Sequence, residues 1–596
     1  MCRIAGVINA ADPFTVVRSM CDAMHRGGPD DQGYYEDAAG KLYLGHRRLS
    51  IIDLSSGGHQ PMISEDGQVV LSYNGEIYNY RELKDELRRA GCAFRTNSDT
   101  EVIIQAYRQW GIRFLERLNG MYALALLDKN RQTLWLARDP AGIKPLYHAQ
   151  LGNGFYFASE LRAFRVLGAV ESHPDWKPYF MLFGHLPEPI TPFKHVVPLK
   201  KGSVLEYDLR SDQWKVTDIV RPRFTRSSIT NERQAVESIR AILQESVKRH
   251  LISDAPIGLF LSGGIDSSLI TLIANALSPE SLKTLSIYFD DERYSEKAFQ
   301  DLIIAITRNQ HTSYCVRYDE FAGKVNDILS AMDSPSVDGV NTYFISQFAA
   351  ASGLKAVLSG LGADELLGGY RSFDRARYAA LLNRLSPQLL QHFARNHSGR
   401  IGRLGFLSIK HPAAEYLFYR GIFSLKDVAR HCGVDHDYLI DLISSLPYPE
   451  EFDTLQGAER AGFLEYHYYM GHQLLRDTDY MSMWHGLEVR VPFLDREFVD
   501  LCHEIAPELK FGRGRGKYLL IKAFEDVLPE KIWKRRKSGF AFPFKDWFRA
   551  IDLFKDFKFP ANAVEDGLRV GNLPWSQQWL IYLMEQWEPG GAMASN

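Results

Sequence analysis

A cysteine in second position, Cys2, directly follows the initiator Met. A residue this small ordinarily permits removal of that Met, leaving a thiol and a free α-amine on the same residue. An α-amine has an unperturbed pKa of about 7.7 to 8.0, so near neutral pH it can take the thiol proton, directly or through water. One residue then supplies nucleophile and base. Taken alone, a cysteine there is more often a chance small residue. Four blocks downstream reverse that weighting: HRGGPD at 25–30, RLSIID at 48–53, YNGEIYN at 73–79 and SDTE at 98–101.

The second chemical signal is the run FLSGGIDSS at 260–268. An apolar stretch at 257–261 predicts a short buried strand before it, and 268–277 predicts a helix after it. Strand, glycine turn and helix start together aim backbone N–H groups at an anion. The loop is not of the Walker type, because the GxxxxGK[ST] spacing is absent and no lysine lies in it. Its two serine hydroxyls and Asp266 suit a pyrophosphate with Mg²⁺. The plain alternative is a glycine turn capped by Asp or Ser before a helix.

Two textures of chain position these groups. From the start to about residue 210, short apolar runs at 69–73, 121–127 and 154–158 are punctuated by Gly, Asn and Asp and predict strands. A helix is predicted at 80–90, where Leu83, Leu87 and Ala90 fall at helical spacing. Connecting stretches at 186–198 and 221–233 place a domain boundary within roughly 205 to 235, set here as 1–210 and 211–596. Beyond it, a helix at 234–251 precedes strands at 257–261, 282–289 and 355–359 that alternate with helical segments. That order predicts a parallel sheet with crossover helices. From about residue 373 the chain reads as largely helical, and no internal repeat is visible.

A chain of 596 residues is too long for one core to be the default. Its 70 Lys and Arg against 73 Asp and Glu leave a net charge of -3, so no overall basic field points to nucleic acid or a membrane surface. The six cysteines, Cys2, Cys21, Cys92, Cys315, Cys432 and Cys502, have no CxxC spacing and fit a reduced cytoplasm. Neither an export signal nor a membrane span is expected.

The blocks that follow Cys2, in this order, resemble the class II glutamine amidotransferase domain. The resemblance implies an αββα sandwich of the N-terminal-nucleophile hydrolase type. It also implies that Asn74 and Gly75 form an oxyanion hole and that Arg48, Glu76 and Asp99 hold the glutamine carboxylate and amine. The residue types suit those jobs, since amide donors stabilise an oxyanion and Arg grips a carboxylate with paired bonds. The dipeptide Asn74-Gly75 also favours a hairpin turn. A departure is HRGGPD, where RHRGPD is expected.

The SGGxDS loop resembles that of ATP pyrophosphatases, and further blocks resemble the synthetase domain of glutamine-hydrolysing asparagine synthetases: SGLGADELLGGY at 359–370, the segment 482–495 and GKYLL at 516–520. Together the two resemblances cover about residues 1 to 550. They imply ATP contacts from Leu261, Ser262, Gly263, Gly264, Asp266, Ser267, Ile287, Ser359 and Gly360, Mg²⁺ ligands Asp266 and Asp364, and Lys517 as the cation that offsets phosphate charge. Ile287 near adenine and Lys517 at phosphate each have an ordinary alternative, strand core and solvated surface.

The reaction implied is transfer of ammonia, released from glutamine at Cys2, to an adenylated carboxylate, with aspartate first by base rate. Leu361 stands where an acidic residue is common, 334–343 replaces a Thr- and Arg-containing stretch, and Ile521 stands where Arg often follows. Those departures leave open a sugar acid or secondary-metabolite precursor as acceptor. A ring-closing synthetase and a non-catalytic scaffold are the remaining alternatives. A homodimer is left open. The whole reading requires a reachable thiol and a cradle with room for a nucleotide.

Overall fold

The computed structural model describes residues 2–37, 41–168, 170–220, 227–278, 282–307, 309–382, 385–512, 516–535, 542–550 and 573–587. Twelve strands come from the first 218 residues. They are β1 (Cys2–Ile8), β2 (Asp31–Glu36), β3 (Leu42–Arg48), β4 (Met62–Ile63), β5 (Val69–Ile77), β6 (Gly120–Asp128), β7 (Thr133–Arg138), β8 (Tyr147–Leu151), β9 (Gly154–Ala158), β10 (Val196–Pro198), β11 (Ser203–Asp208) and β12 (Gln213–Asp218). They form two six-stranded sheets, ordered β10-β8-β9-β1-β3-β2 and β12-β11-β7-β6-β5-β4, with every pairing antiparallel.

Alternation along the strands explains why two sheets stack. Ile4 and Ile8 of β1 join Val70, Ala123, Ala125, Leu134, Leu136 and Leu205 in a core between the sheets. The opposite-facing Ala5 and Val7 pack with Val17, Met20 and Phe164 of helical segments outside the first sheet. Leu71, Tyr73 and Leu124 meet the helices Tyr80–Arg89 and Asp99–Trp110 outside the second. A side-chain period of two gives each sheet two buried faces. The result is four layers, helix, sheet, sheet and helix, as the αββα expectation requires.

Strands expected at 69–73, 121–127 and 154–158 coincide with β5, β6 and β9, and the helix expected at 80–90 is Tyr80–Arg89. The hairpin β11–β12 carries the first half to Asp218, past the division drawn after residue 210, and the next helix begins at Glu232. The Asn74-Gly75 dipeptide is not a turn. It lies within β5, paired with Ala123 and Tyr122 of β6, because the strand pairs with β6 from Val69 to Ile77 and the dipeptide sits inside that ladder.

The second half holds five parallel strands: β13 (Ile257–Phe260), β14 (Lys283–Tyr288), β15 (Gln310–Cys315), β16 (Ala356–Leu358) and β17 (Glu488–Arg490), in the order β15-β14-β13-β16-β17. Three of these match the strands expected at 257–261, 282–289 and 355–359. Helices cover the sheet, and those between Arg371 and Ala523 make the helical extension. It includes a π-helix at Glu465–Leu474, a form common at functional sites. Among the described residues, no helix is long and apolar enough to cross a membrane.

Candidate active sites

Cys2 opens β1 and pairs with Arg48 at the end of β3, so the ladder itself sets these two residues side by side. The Cys2 main-chain nitrogen donates to Asn74 Oδ1 at 3.1 Å. Asn74 is fully buried in β5, and its Nδ2 has no hydrogen-bond partner among the described residues. An amide donor left unmatched in a buried place is costly, which fits a group reserved for an oxyanion. Gly75 follows it. A Cβ there would lie 2.2 Å from the Met121 carbonyl oxygen, so close strand approach excludes any other residue.

Burial pushes the Cys2 thiol up from the ordinary cysteine range, opposed by the positive chain terminus, a main-chain hydrogen bond at Leu49 and the charge of Arg48. The resting group is therefore a thiol, and attack needs a base beside it. Cys2 keeps only 7% of its surface exposed.

The expected glutamine contacts are present but already engaged. Arg48 sends Nη1 to the Ser55 carbonyl at 3.0 Å and Nη2 to the Asp53 carbonyl at 2.5 Å. Asp99 accepts from the Tyr73 hydroxyl at 3.0 Å and the Ile77 N–H at 3.2 Å, while burial pushes its carboxyl up. Glu76 pairs with Arg490 of the second half at 2.9 Å, and burial drives its carboxyl up against that pull.

In the second half, the loop after β13 is built by its own serines. Ser262 N–H donates to Ser267 Oγ at 3.2 Å, and the two hydroxyls lie 3.0 Å apart. Gly263 has φ 80°, a left-handed conformation, and a Cβ on it would press on Phe299 at 3.0 Å. Glycine is the residue that adopts it without strain. The helix Ile265–Leu277 starts immediately after, with Asp266 in its first turn.

This loop opens into a cavity of about 530 Å³, within the ordinary range for a small-molecule site. Leu261, Ser262, Gly264, Asp266, Ser267, Ile287, Ser359, Gly360, Asp364 and Lys517 all line it. Gly263 does not, because its backbone is turned toward Phe299 and Glu296. Lys517 bridges Asp266 and Asp364 at 2.5 Å to each, and the two carboxylates raise its pKa. Residues separated by more than 250 positions therefore converge on one point.

Two carboxylates that can share one ammonium can share a divalent cation with phosphate oxygens, so the residues fit Mg²⁺. No group of three or more His, Cys, Asp or Glu able to hold a metal alone occurs among the described residues. Triphosphate oxygens would complete the shell.

Sequence reasoning did not single out several groups of the wall: Glu296, Tyr469, Thr478, Trp533 and Arg535. Arg535 pairs with Glu296 at 2.7 Å and donates to the Gly263 carbonyl at 3.1 Å, bracing the loop. Tyr469 belongs to the π-helix, which periodicity at 3.6 does not reveal. Leu361 and Ile521 line the same cavity, as do Asp338, Asn341 and Thr342.

The sequence pattern of the asparagine synthase family spans residues 238–558, and that of the glutamine amidotransferase domain spans residues 1–216. Asparagine synthetase [glutamine-hydrolyzing] 1 of Bacillus subtilis is 33% identical over 580 residues, covering 92% of this chain and 88% of that protein. Amidase chry2 of Gibberella zeae is 27% identical, with 88% and 84% covered. The glutamine phosphoribosylpyrophosphate amidotransferase from B. subtilis, solved with ADP and GMP, aligns with 52% of this chain and 80% of its own at 15% identity and a TM-score of 0.30. With both sequence patterns in series and a relative 33% identical over 92% of this chain, the chain belongs to the glutamine-hydrolysing asparagine synthetase family.

Proposed function

We propose that Cys2 releases ammonia from glutamine and that the second half transfers it to a carboxylate activated by ATP. The observation that carries this reading is the convergence of Ser262, Asp266, Ser267, Asp364 and Lys517 on one cavity, in a chain whose Cys2 adjoins a buried amide donor. In the first step the Cys2 thiol, relieved of its proton by the α-amine of the processed chain, attacks the glutamine carboxamide carbon. Asn74 Nδ2 and the Gly75 N–H donate to the oxygen that becomes anionic. Collapse expels ammonia, and water then cleaves the thioester to glutamate.

In the second step an acceptor carboxylate oxygen attacks the α-phosphorus of ATP, and pyrophosphate leaves. Ammonia then attacks the acyl carbon and AMP leaves. Lys517 offsets charge on the phosphates, while the Ser262 and Ser267 hydroxyls and the helix start orient them. Mg²⁺ held by Asp266 and Asp364 would neutralise further phosphate charge.

Aspartate is the first acceptor to test because of the family. A second reading, a sugar acid or another non-aspartate carboxylate, is favoured by Leu361. An aliphatic side chain lines a cavity that Asp338, Asn341, Thr342 and Thr478 also line. A site with several hydroxyl and amide partners suits an acid rich in hydroxyls.

Glutamine-dependent release of AMP and pyrophosphate across a panel of carboxylates tests both readings, with Cys2→Ala as control. The variant should lose glutamine use and retain synthesis from ammonium. No turnover with any carboxylate despite working glutaminase would favour the scaffold reading for the second half. Loss of both activities in a folded Cys2→Ala protein would count against two separable sites.

A further inference from the structure

Arg490 is wholly buried and takes no part in either reaction as written above. Its Nε donates to Glu488 Oε1 at 2.5 Å. Nη1 donates to the His250 carbonyl at 2.8 Å and the Ile252 carbonyl at 2.5 Å. Nη2 donates to Glu76 Oε2 at 2.9 Å. Four acceptors on one guanidinium use its rigid fork, a geometry that a lysine ammonium cannot reproduce.

The strand that carries Arg490 is a wall between the two sites. Because side chains alternate along a strand, Glu488 and Arg490 share the face that meets Glu76, while Val489 lines the nucleotide cavity. The backbone closes the link. The Arg490 carbonyl accepts from the Ser359 N–H at 2.8 Å, and Ser359 and Gly360 line the same cavity. A continuous path of hydrogen bonds thus runs from Glu76 through Arg490 to Ser359.

A glutamine ammonium arriving at Glu76 competes with Arg490 for that carboxylate. Arg490 has no exposed surface, and its other donors are held by Glu488 and two main-chain carbonyls, so a weakened pair shifts load onto Glu488 and the backbone of β17. We propose that Arg490 is a positioning residue through which glutamine at Glu76 and nucleotide at Ser359 and Gly360 set each other's affinity. The proposal rests on reading Glu76 as the group that takes the glutamine ammonium. Coupling between binding sites is reciprocal, so each ligand must change the other's affinity by the same factor.

The test uses the full chain with Cys2→Ala, which stops glutamine turnover. The Kd of a non-hydrolysable ATP analogue with Mg²⁺ is measured by calorimetry with and without saturating glutamine, and the glutamine Kd with and without the analogue. The expected shift is about fivefold or more, equal in both directions. Adding Arg490→Lys should reduce it to within about twofold, while each ligand still binds alone. Glu488→Gln keeps the Arg490–Glu76 pair and turns the charge-assisted bond at Arg490 Nε into a weaker neutral one, so a smaller but measurable shift is expected even if the lysine variant does not fold. No shift in the parent, or an undiminished shift in either variant, overturns the proposal. Glu76→Gln separates the two claims. If it leaves the glutamine Kd unchanged, the reading of Glu76 fails. If it weakens glutamine binding while the coupling survives Arg490→Lys, only the proposal fails.

Discussion

Asp477 illustrates how a single buried carboxyl makes this chain sensitive to pH. It lies on the helix Leu475–Met483 and accepts from the Ser336 and Tyr480 hydroxyls, each at 2.5 Å. Burial, then repulsion from Asp338, pushes its pKa up to about 7, against the attraction of Arg476 and the two hydroxyls. A carboxyl whose folded pKa exceeds its unfolded value stabilises the fold fully at low pH. That stability is lost as pH rises from the unfolded value, about 4, through the folded one. The slope for one proton is at most about 1.4 kcal/mol per pH unit. Asp477→Asn cannot ionise, so its unfolding midpoint should rise relative to the parent's between pH 5 and 7 and keep pace above that. Parallel melting curves for the two proteins across this range would show that Asp477 does not titrate there.

The phosphate loop is an element whose backbone, more than any side chain, determines its use. Gly263→Ala places a Cβ 3.0 Å from Phe299 at φ 80°, a strain of about 1–3 kcal/mol. Affinity for the ATP analogue should fall by about tenfold or more, with glutaminase activity retained. Unchanged nucleotide affinity would mean that the loop conformation is not part of the site. This loop was legible because apolar strand, glycine turn and helix start are local signals. The same holds for β5, β6, β9 and β14, whose apolar runs are long enough to show their period. By contrast, β17 has three residues, two of them charged, and gives no strand signal; the charges are explained by the pairing of Arg490 with Glu76. The polar β15 at the sheet edge gives no burial signal either. For the site, resemblance supplied Asp364 and Lys517, which lie far from the loop in sequence. It could not supply the ion pair that occupies Glu76, because this depends on how the two halves dock.

At the scale of the whole molecule, the nucleophile is anchored by the opposite half. Arg3, next to Cys2 and without exposed surface, donates to Asp479 at 2.8 Å and pairs with Glu160. Lys144, also buried, reaches the other Asp479 oxygen at 3.3 Å. Asp479 shares its helix with Asp477 and lies far along the chain from either cation. Asn119 and Asp495 add a further bond across the same interface at 3.0 Å. Removing one partner of a buried pair leaves charge without compensation, at a cost of about 3–5 kcal/mol. Asp479→Ala should therefore lower the unfolding midpoint and, because Arg3 fixes the start of β1, reduce glutamate release as well as ammonium-dependent AMP formation. Asp479→Asn retains two polar partners and should fall between that variant and the parent. This joint loss is distinct from Cys2→Ala, which should remove glutamine use alone. Were Asp479→Ala to melt like the parent with glutaminase intact, the docked charges would be incidental, and the two halves would operate without mechanical dependence on each other.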